Sequence, residues 1–188
     1  MLTLWGKKIA QHNFSANSGI IPLSLNSSNN AAIITAKTCA NNEIYIAPAL
    51  KSSGYAFISS LTETGSSASY GIAVGSDDTP ATENDYSLGS LITTLSGSIP
   101  SAAYGYDSTS HKYGSYLDIT LSNNTANDII VKEVGRFVSV YKASSLYSNT
   151  GSSATDARCI MIDRAVLDSP VTIPANNVGV VRYEFQYE

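Results

Sequence analysis

The sequence predicts an all-β fold: an antiparallel β-sandwich, of jelly-roll or immunoglobulin-like type, with an extended N-terminal arm. Three observations predict it. Short β-branched and aromatic runs are separated along the chain by turn clusters rich in Asn, Ser, Gly and Asp, the cadence of sandwiches and barrels. Several runs alternate apolar and polar residues, which means one buried and one wetted face of an antiparallel sheet. Helical signals are confined to one short stretch.

The elements follow in order. Residues 1–18 form the arm, and its Trp5 is the single tryptophan of the chain. Tryptophan favours buried interface centres, so Trp5 is a candidate anchor in a neighbouring subunit. Residues 19–188 form one sandwich domain. Strands are expected over 19–25, 31–38, 43–47, 54–60, 69–74, 90–95, 116–122, 128–140, 157–166 and 178–187. Turns fall at 26–30, 41–42, 65–67, 75–78, 123–124 and 148–153. Leu117, Ile119 and Leu121 share one face, opposite Asp118 and Thr120; Val181, Tyr183, Phe185 and Tyr187 alternate with Arg182, Glu184 and Gln186. The run Cys159 to Ile162 is apolar on both faces, as in a central strand or one covered by another subunit. Thr79-Pro80, followed by Glu83, predicts a helix of one or two turns over 79–86, with Thr79 as N-cap and Pro80 at the first helical position. Pro170 and Pro174 bracket a short segment that must lie at an edge or rim, because proline donates no ladder hydrogen bond.

Composition narrows function. Of 188 residues 43% are apolar but only 14% charged, so hydroxyls and amides cover much of the surface. Such a surface suits packing against protein subunits or contact with sugars. A net charge of −4 and a pI near 5.1 oppose nucleic-acid binding, which needs a basic patch. The uncharged stretches 14–36 and 87–106 are broken by Gly, Pro, Ser or Asn, so neither crosses a membrane as a helix. Cys39 and Cys159 lie in apolar surroundings and are expected as buried thiols. A long-range disulfide between them stays open.

Catalytic signals are absent. No Gly-x-Ser-x-Gly, Gly-Lys-Ser/Thr or His-Glu-x-x-His occurs, and the two histidines are His12 and His111. Ser110 and His111 are adjacent, and adjacent strand residues point to opposite faces. No catalytic residue, cofactor or metal site is therefore expected. Asp77, Asp78, Glu83 and Asp85 form the densest carboxylate cluster, but they lack the spacing of a calcium loop and suit a turn before a helix N-terminus. Twelve tyrosines stand against four phenylalanines. Tyr104, Tyr106 and Tyr113 in the Gly- and Ser-rich middle join Trp5 as candidate interface residues, since tyrosine combines contact area with a polar tip. The same rings would stack on glycans.

Three fragments carry a family resemblance. Residues 71–88 contain a glycine-ended strand, a Thr-Pro turn and Asp85-Tyr86-Ser87-Leu88. Residues 123–135 contain an Asn-x-Thr turn and then Val131-Lys132-Glu133-Val134-Gly135. Residues 164–175 read Arg-Ala-Val-Leu-Asp-Ser-Pro-Val-Thr-Ile-Pro-Ala. In this order they resemble a module that recurs in small structural proteins of tailed bacteriophages, and the likeness covers residues 69–188. The stretches 101–114 and 144–155 look like long inserts in that module, and residues 1–68 carry no such likeness. The resemblance implies a non-enzymatic virion protein: a decoration, minor capsid or tail-attached subunit, a homo-oligomer bound to other capsid or tail subunits. The alternative is a carbohydrate- or receptor-binding module of a phage fibre that contacts a cell-surface glycan.

Overall fold

The chain is seen in a computed structural model that describes residues 34–52, 56–99, 102–107, 112–142 and 157–187. The expected arm with Trp5, the strand at 19–25 and the Ser110–His111 pair lie outside the described residues. Every regular element described is a strand: β1 (Ile34–Lys37), β2 (Glu43–Ser52), β3 (Gly71–Gly75), β4 (Leu95–Ser98), β5 (Ala102–Asp107), β6 (Lys112–Asn123), β7 (Ile129–Lys142), β8 (Ala157–Ile173) and β9 (Val178–Tyr187). The fold is all-β and its ladders are antiparallel.

Two sheets are built on the same plan. In the first, β7 is the spine. β8 runs along one of its edges, while β2 and β3 follow each other along the opposite edge; β1 pairs with β2. In the second, β6 is the spine. β9 runs along one edge, while β4 and β5 follow each other along the other. One apolar cluster joins the sheets: Ile72, Val74, Val131, Val134 and Ile173 from the first meet Leu95, Leu117, Ile119, Leu121, Val181 and Tyr183 from the second. The alternation read in residues 116–121 is the reason. Leu117, Ile119 and Leu121 are at most 1% exposed, whereas Asp118 and Thr120 are half-buried. Tyr183 also donates its hydroxyl proton to Asp163 Oδ2, a buried bond from β9 to β8.

The other face of β7 and β8 is not open to water. Ala73, Phe137, Cys159 and Met161 form a second cluster there, roofed by Cys39, Ile58, Leu61, Leu88 and Leu91. The doubly apolar run at Cys159 to Ile162 is thus covered within the chain, Cys159 and Met161 by the roof and Ile160 and Ile162 by the cluster with Ala36 and Ile46. The outer edge of β8 is covered at its start: Cys159 N–H bonds Glu63 O, Gly65 N–H bonds Ala157 O and Cys39 N–H bonds Cys159 O. This protects an edge that would otherwise invite pairing with another chain.

Four expectations are corrected. Residues 79–86 form no helix, only a turn in which Asp85 N–H bonds Thr82 O at 3.3 Å. The Asp85 carboxylate accepts from Thr82 N–H and Oγ1 and is drawn to Arg164, which holds the segment in a loop. Of the strands expected at 54–60 and 90–95, the described residues 56–60 and 90–94 form no ladder: they make only the bridges Phe57 to Ile72 and Gly75 to Leu91, and they serve as roof. Residues 102–107 and 112–114, where no strand was expected, belong to a hairpin paired from Ala102↔Leu117 to Asp107↔Lys112. β8 continues past residue 166 to Ile173. It does so through a bulge between Val131 and Glu133 of its partner, and Pro170 lies in the unpaired stretch, where no ladder donor is required.

Turns obey local rules. Asn41 (φ 65°) and Asn176 (φ 56°) take the left-handed conformation that asparagine tolerates best among residues with a Cβ. Gly71 (φ 135°) lies where a side chain would overlap the carbonyl oxygen of Ala56.

Candidate functional site

Two of the charged residues on the long strands are buried beneath the roof, Glu133 on β7 and Arg164 on β8. An unpaired buried charge is very costly, so each must find partners. Register brings them together: Gly135 faces Arg164 and Glu133 faces Val166, which puts Glu133 and Arg164 on the same face, beneath the roof. Glu133 is 0% and Arg164 3% exposed. Arg164 Nε donates to Glu133 Oε2 at 2.7 Å. Its Nη1 donates to Asp85 Oδ2 at 2.9 Å and its Nη2 to Asp77 Oδ2 at 3.1 Å. The fork of the guanidinium thus clamps three carboxylates that lie far from it along the chain.

Glu133 faces the same loop with its remaining capacity. Oε2 accepts from Gly89 N–H at 3.1 Å, and Oε1 accepts from Ser90 N–H at 2.9 Å. A side chain at Gly75 would overlap Glu133 Oε1 and the carbonyl oxygen of Ser90, which is why the strand must end in glycine. Around this centre, Lys132 pairs with Asp78 at 2.7 Å, and Lys37 sits 5.7 Å from the centroid of Tyr86, a cation–π contact. Burial opposes ionisation of Asp85, but the hydrogen bonds from Thr82 and Arg164 outweigh it and hold its carboxyl below the usual range. Burial likewise pulls on Arg164, and Asp85 and Glu133 more than compensate, raising it further.

A second polar knot is built on Asn123, which is fully buried. Its Oδ1 accepts from Thr125 N–H and Oγ1 at 2.9 and 2.7 Å. Its amide donates to the carbonyls of Asn127, Ile173 and Pro174. Ala175 N–H bonds Asp128 Oδ1, and Asn123 N–H bonds Asn177 O. The β6–β7 turn and the β8–β9 turn are therefore sewn into one unit.

The acidic cluster at 77–85 is thus explained in large part by cations of the sheet: Asp77 and Asp85 by Arg164, Asp78 by Lys132. Among the described residues no group of three or more His, Cys, Asp or Glu is gathered as for a metal ion. Glu133 and Arg164 have their polar atoms directed at partners within the fold, the behaviour of a structural pin. Of the candidate interface residues, Tyr104 and Tyr106 lie on β5 and Tyr113 on β6, with Tyr106 opposite Tyr113 and Tyr104 opposite Ser115. The three positions belong to one hairpin, and Trp5 lies outside the described residues. Sequence reading singled out Asp77 and Asp85 but not their partner. The available signal was a carboxylate, Glu133, and a guanidinium, Arg164, among the apolar residues of strands that bury both faces.

Compared with known proteins, the chain matches no family model, no curated protein and no solved structure.

Proposed function

We propose that the chain is a non-enzymatic structural subunit of a tailed-phage virion, an accessory protein of the head or tail that assembles as a homo-oligomer. The observation that carries this reading is where the three phage-like fragments meet. Asp77 and Asp85 come from the first, Glu133 from the second and Arg164 from the third, and they form one buried ion-pair cluster. Asn123 of the second fragment is sewn to Ile173 and Pro174 of the third. The residues that give the resemblance are those that lock the fold, as suits a module whose work is packing rather than catalysis.

Within this reading the two sheets form a sandwich of jelly-roll or immunoglobulin-like type, and residues 1–18 are an arm that reaches a neighbour. Assembly is supported by β9. Among the described strands it pairs with β6 alone, and it exposes Val178 (60%) and Val180 (55%). Neutral apolar side chains on an edge strand favour contact with another chain. Exposed Tyr45 and Tyr70 favour the second reading, a glycan-binding module of a fibre.

The test is particle association. Phage particles purified from the source culture are probed with an antibody against the protein and by peptide mass spectrometry. The protein is expected at a fixed ratio to the major capsid or tail protein. Particles that lack it overturn the proposal. A rise of several degrees in melting temperature with one sugar, of the size a bound ligand produces, transfers the assignment to the glycan reading.

A further inference from the structure

We propose that Cys39 and Cys159 are a redox-closable pair, which low-molecular-weight disulfides of the glutathione type convert into an intramolecular disulfide. The inference is independent of the assembly role. Both cysteines are free thiols in the structure, Cys159 buried and Cys39 half-buried, so the expectation of two buried thiols holds only for Cys159. Cys159 belongs to the cluster beneath the roof, and Cys39 belongs to the roof packed on that cluster. The backbone fixes their approach: Cys39 N–H donates to Cys159 O at 3.0 Å. Standard bond lengths then cap the Cα–Cα separation at about 7 Å, the upper limit of what a disulfide spans. Cys159 is held in turn by its own N–H bond to Glu63 O at 2.8 Å. The turn after β1, the segment before β3 and the start of β8 thus meet at this pair.

The two thiols are unequal. A hydrogen bond from Cys159 holds the Cys39 thiol below its ordinary range. The same bond, with burial, pushes Cys159 up. Cys39 is also the more exposed of the two, so it is the attacking thiol. Its thiolate attacks one sulfur of the small disulfide and expels one small thiolate, leaving a mixed disulfide on Cys39. The Cys159 thiol then attacks the Cys39 sulfur, gives up its proton to solvent and expels the second small thiolate. Two protein thiols are oxidised and one small disulfide is reduced to two thiols. Such a bond stays open in a reducing cytosol and closes outside it.

The test incubates the full reduced chain with oxidised glutathione, then quenches, unfolds and maps it. The expected product has lost two hydrogens, resists maleimide and yields one peptide pair joined through Cys39 and Cys159. Its melting temperature is raised by about 10 °C over the reduced protein, since the bond closes a loop of more than a hundred residues. Cys159→Ser should accumulate the glutathione adduct on Cys39, while Cys39→Ser should remain unmodified at Cys159 while folded. Circular dichroism establishes that both variants are folded. Wild-type protein that keeps two titratable thiols, or stops at a glutathione adduct, overturns the proposal. Equal labelling of the two single variants overturns the assigned order of attack.

Discussion

Arg164 shows how one side chain gives a loop its place. The guanidinium neutralises carboxylates from residues 77, 85 and 133, and none of these lies near it in sequence. Replacing it leaves Glu133 buried beside two further acids with no cation, and breaking a buried pair costs about 3–5 kcal/mol. Arg164→Met is therefore expected to lower the urea-unfolding free energy by about that amount and the melting temperature by about 10 °C. A loss below about 1 kcal/mol would show that the cluster is not a pin. Asp85 adds a pH dependence. Its carboxyl is held below its ordinary range in the fold, so the unfolded chain binds its proton first as pH falls. The stability it contributes is complete above the unfolded pKa of about 3.9 and is lost as pH drops through the lower folded value. Glu63, lowered chiefly by hydrogen bonds from Thr38 and Asn42, acts in the same direction. Stability measured from pH 7 downward should stay level until about pH 5 and then fall. Asp85→Asn should flatten part of that fall; an unchanged acid limb in the variant would refute the role given to Asp85.

At the scale of elements, strand existence was more legible than strand extent. The alternation in β6 and β9 identified them, because a period of two with one apolar face has few other solutions. β8 runs past the expected end at residue 166 because a bulge lets the strand continue beyond Pro170. The β5–β6 hairpin was hidden because its Ser- and Gly-rich residues look like a loop, and its pairing comes from register with β6 rather than from propensity. The helix expected at 79–86 failed because a cap and a proline are local signals, whereas Asp85 answers to a cation 79 residues away in sequence. The same distance hid the ion-pair cluster: Asp77 and Asp85 were visible in an acidic cluster, but Glu133 and the shared cation were not. The exposed valines of β9 permit an element-level test of assembly. Val180 is 55% exposed, so Val180→Lys should leave stability within about 0.5 kcal/mol and convert the proposed oligomer to monomers in sedimentation. An oligomer that survives the lysine assembles through some other surface.

At the scale of the whole molecule, the boundary suggested by the resemblance and the boundary set by packing differ. The proposed phage-like module begins at residue 69, yet β7 and β8 extend beyond the segments on which that proposal rests. Val138, Val140 and Ile160, each at most 1% exposed, are covered by Ala36 and Ile46 of β1 and β2. Phe137, Cys159 and Met161 lie under a roof that includes Cys39, Ile58 and Leu61. Removing residues 1–68 would open both faces of the first sheet at that end and free one edge of β7 and one of β8. Each large apolar side chain returned to water forfeits about 1.5–3 kcal/mol, and the sum over these side chains matches the whole stability of an ordinary domain, about 5–15 kcal/mol. A fragment of residues 69–188 is therefore expected to lack a cooperative thermal transition by circular dichroism and to aggregate through its uncovered strands, while the full chain melts cooperatively. If the fragment melts as sharply as the full chain and at a similar temperature, residues 1–68 are a separable attachment. The single domain over 19–188 would then have to be divided at the start of the module.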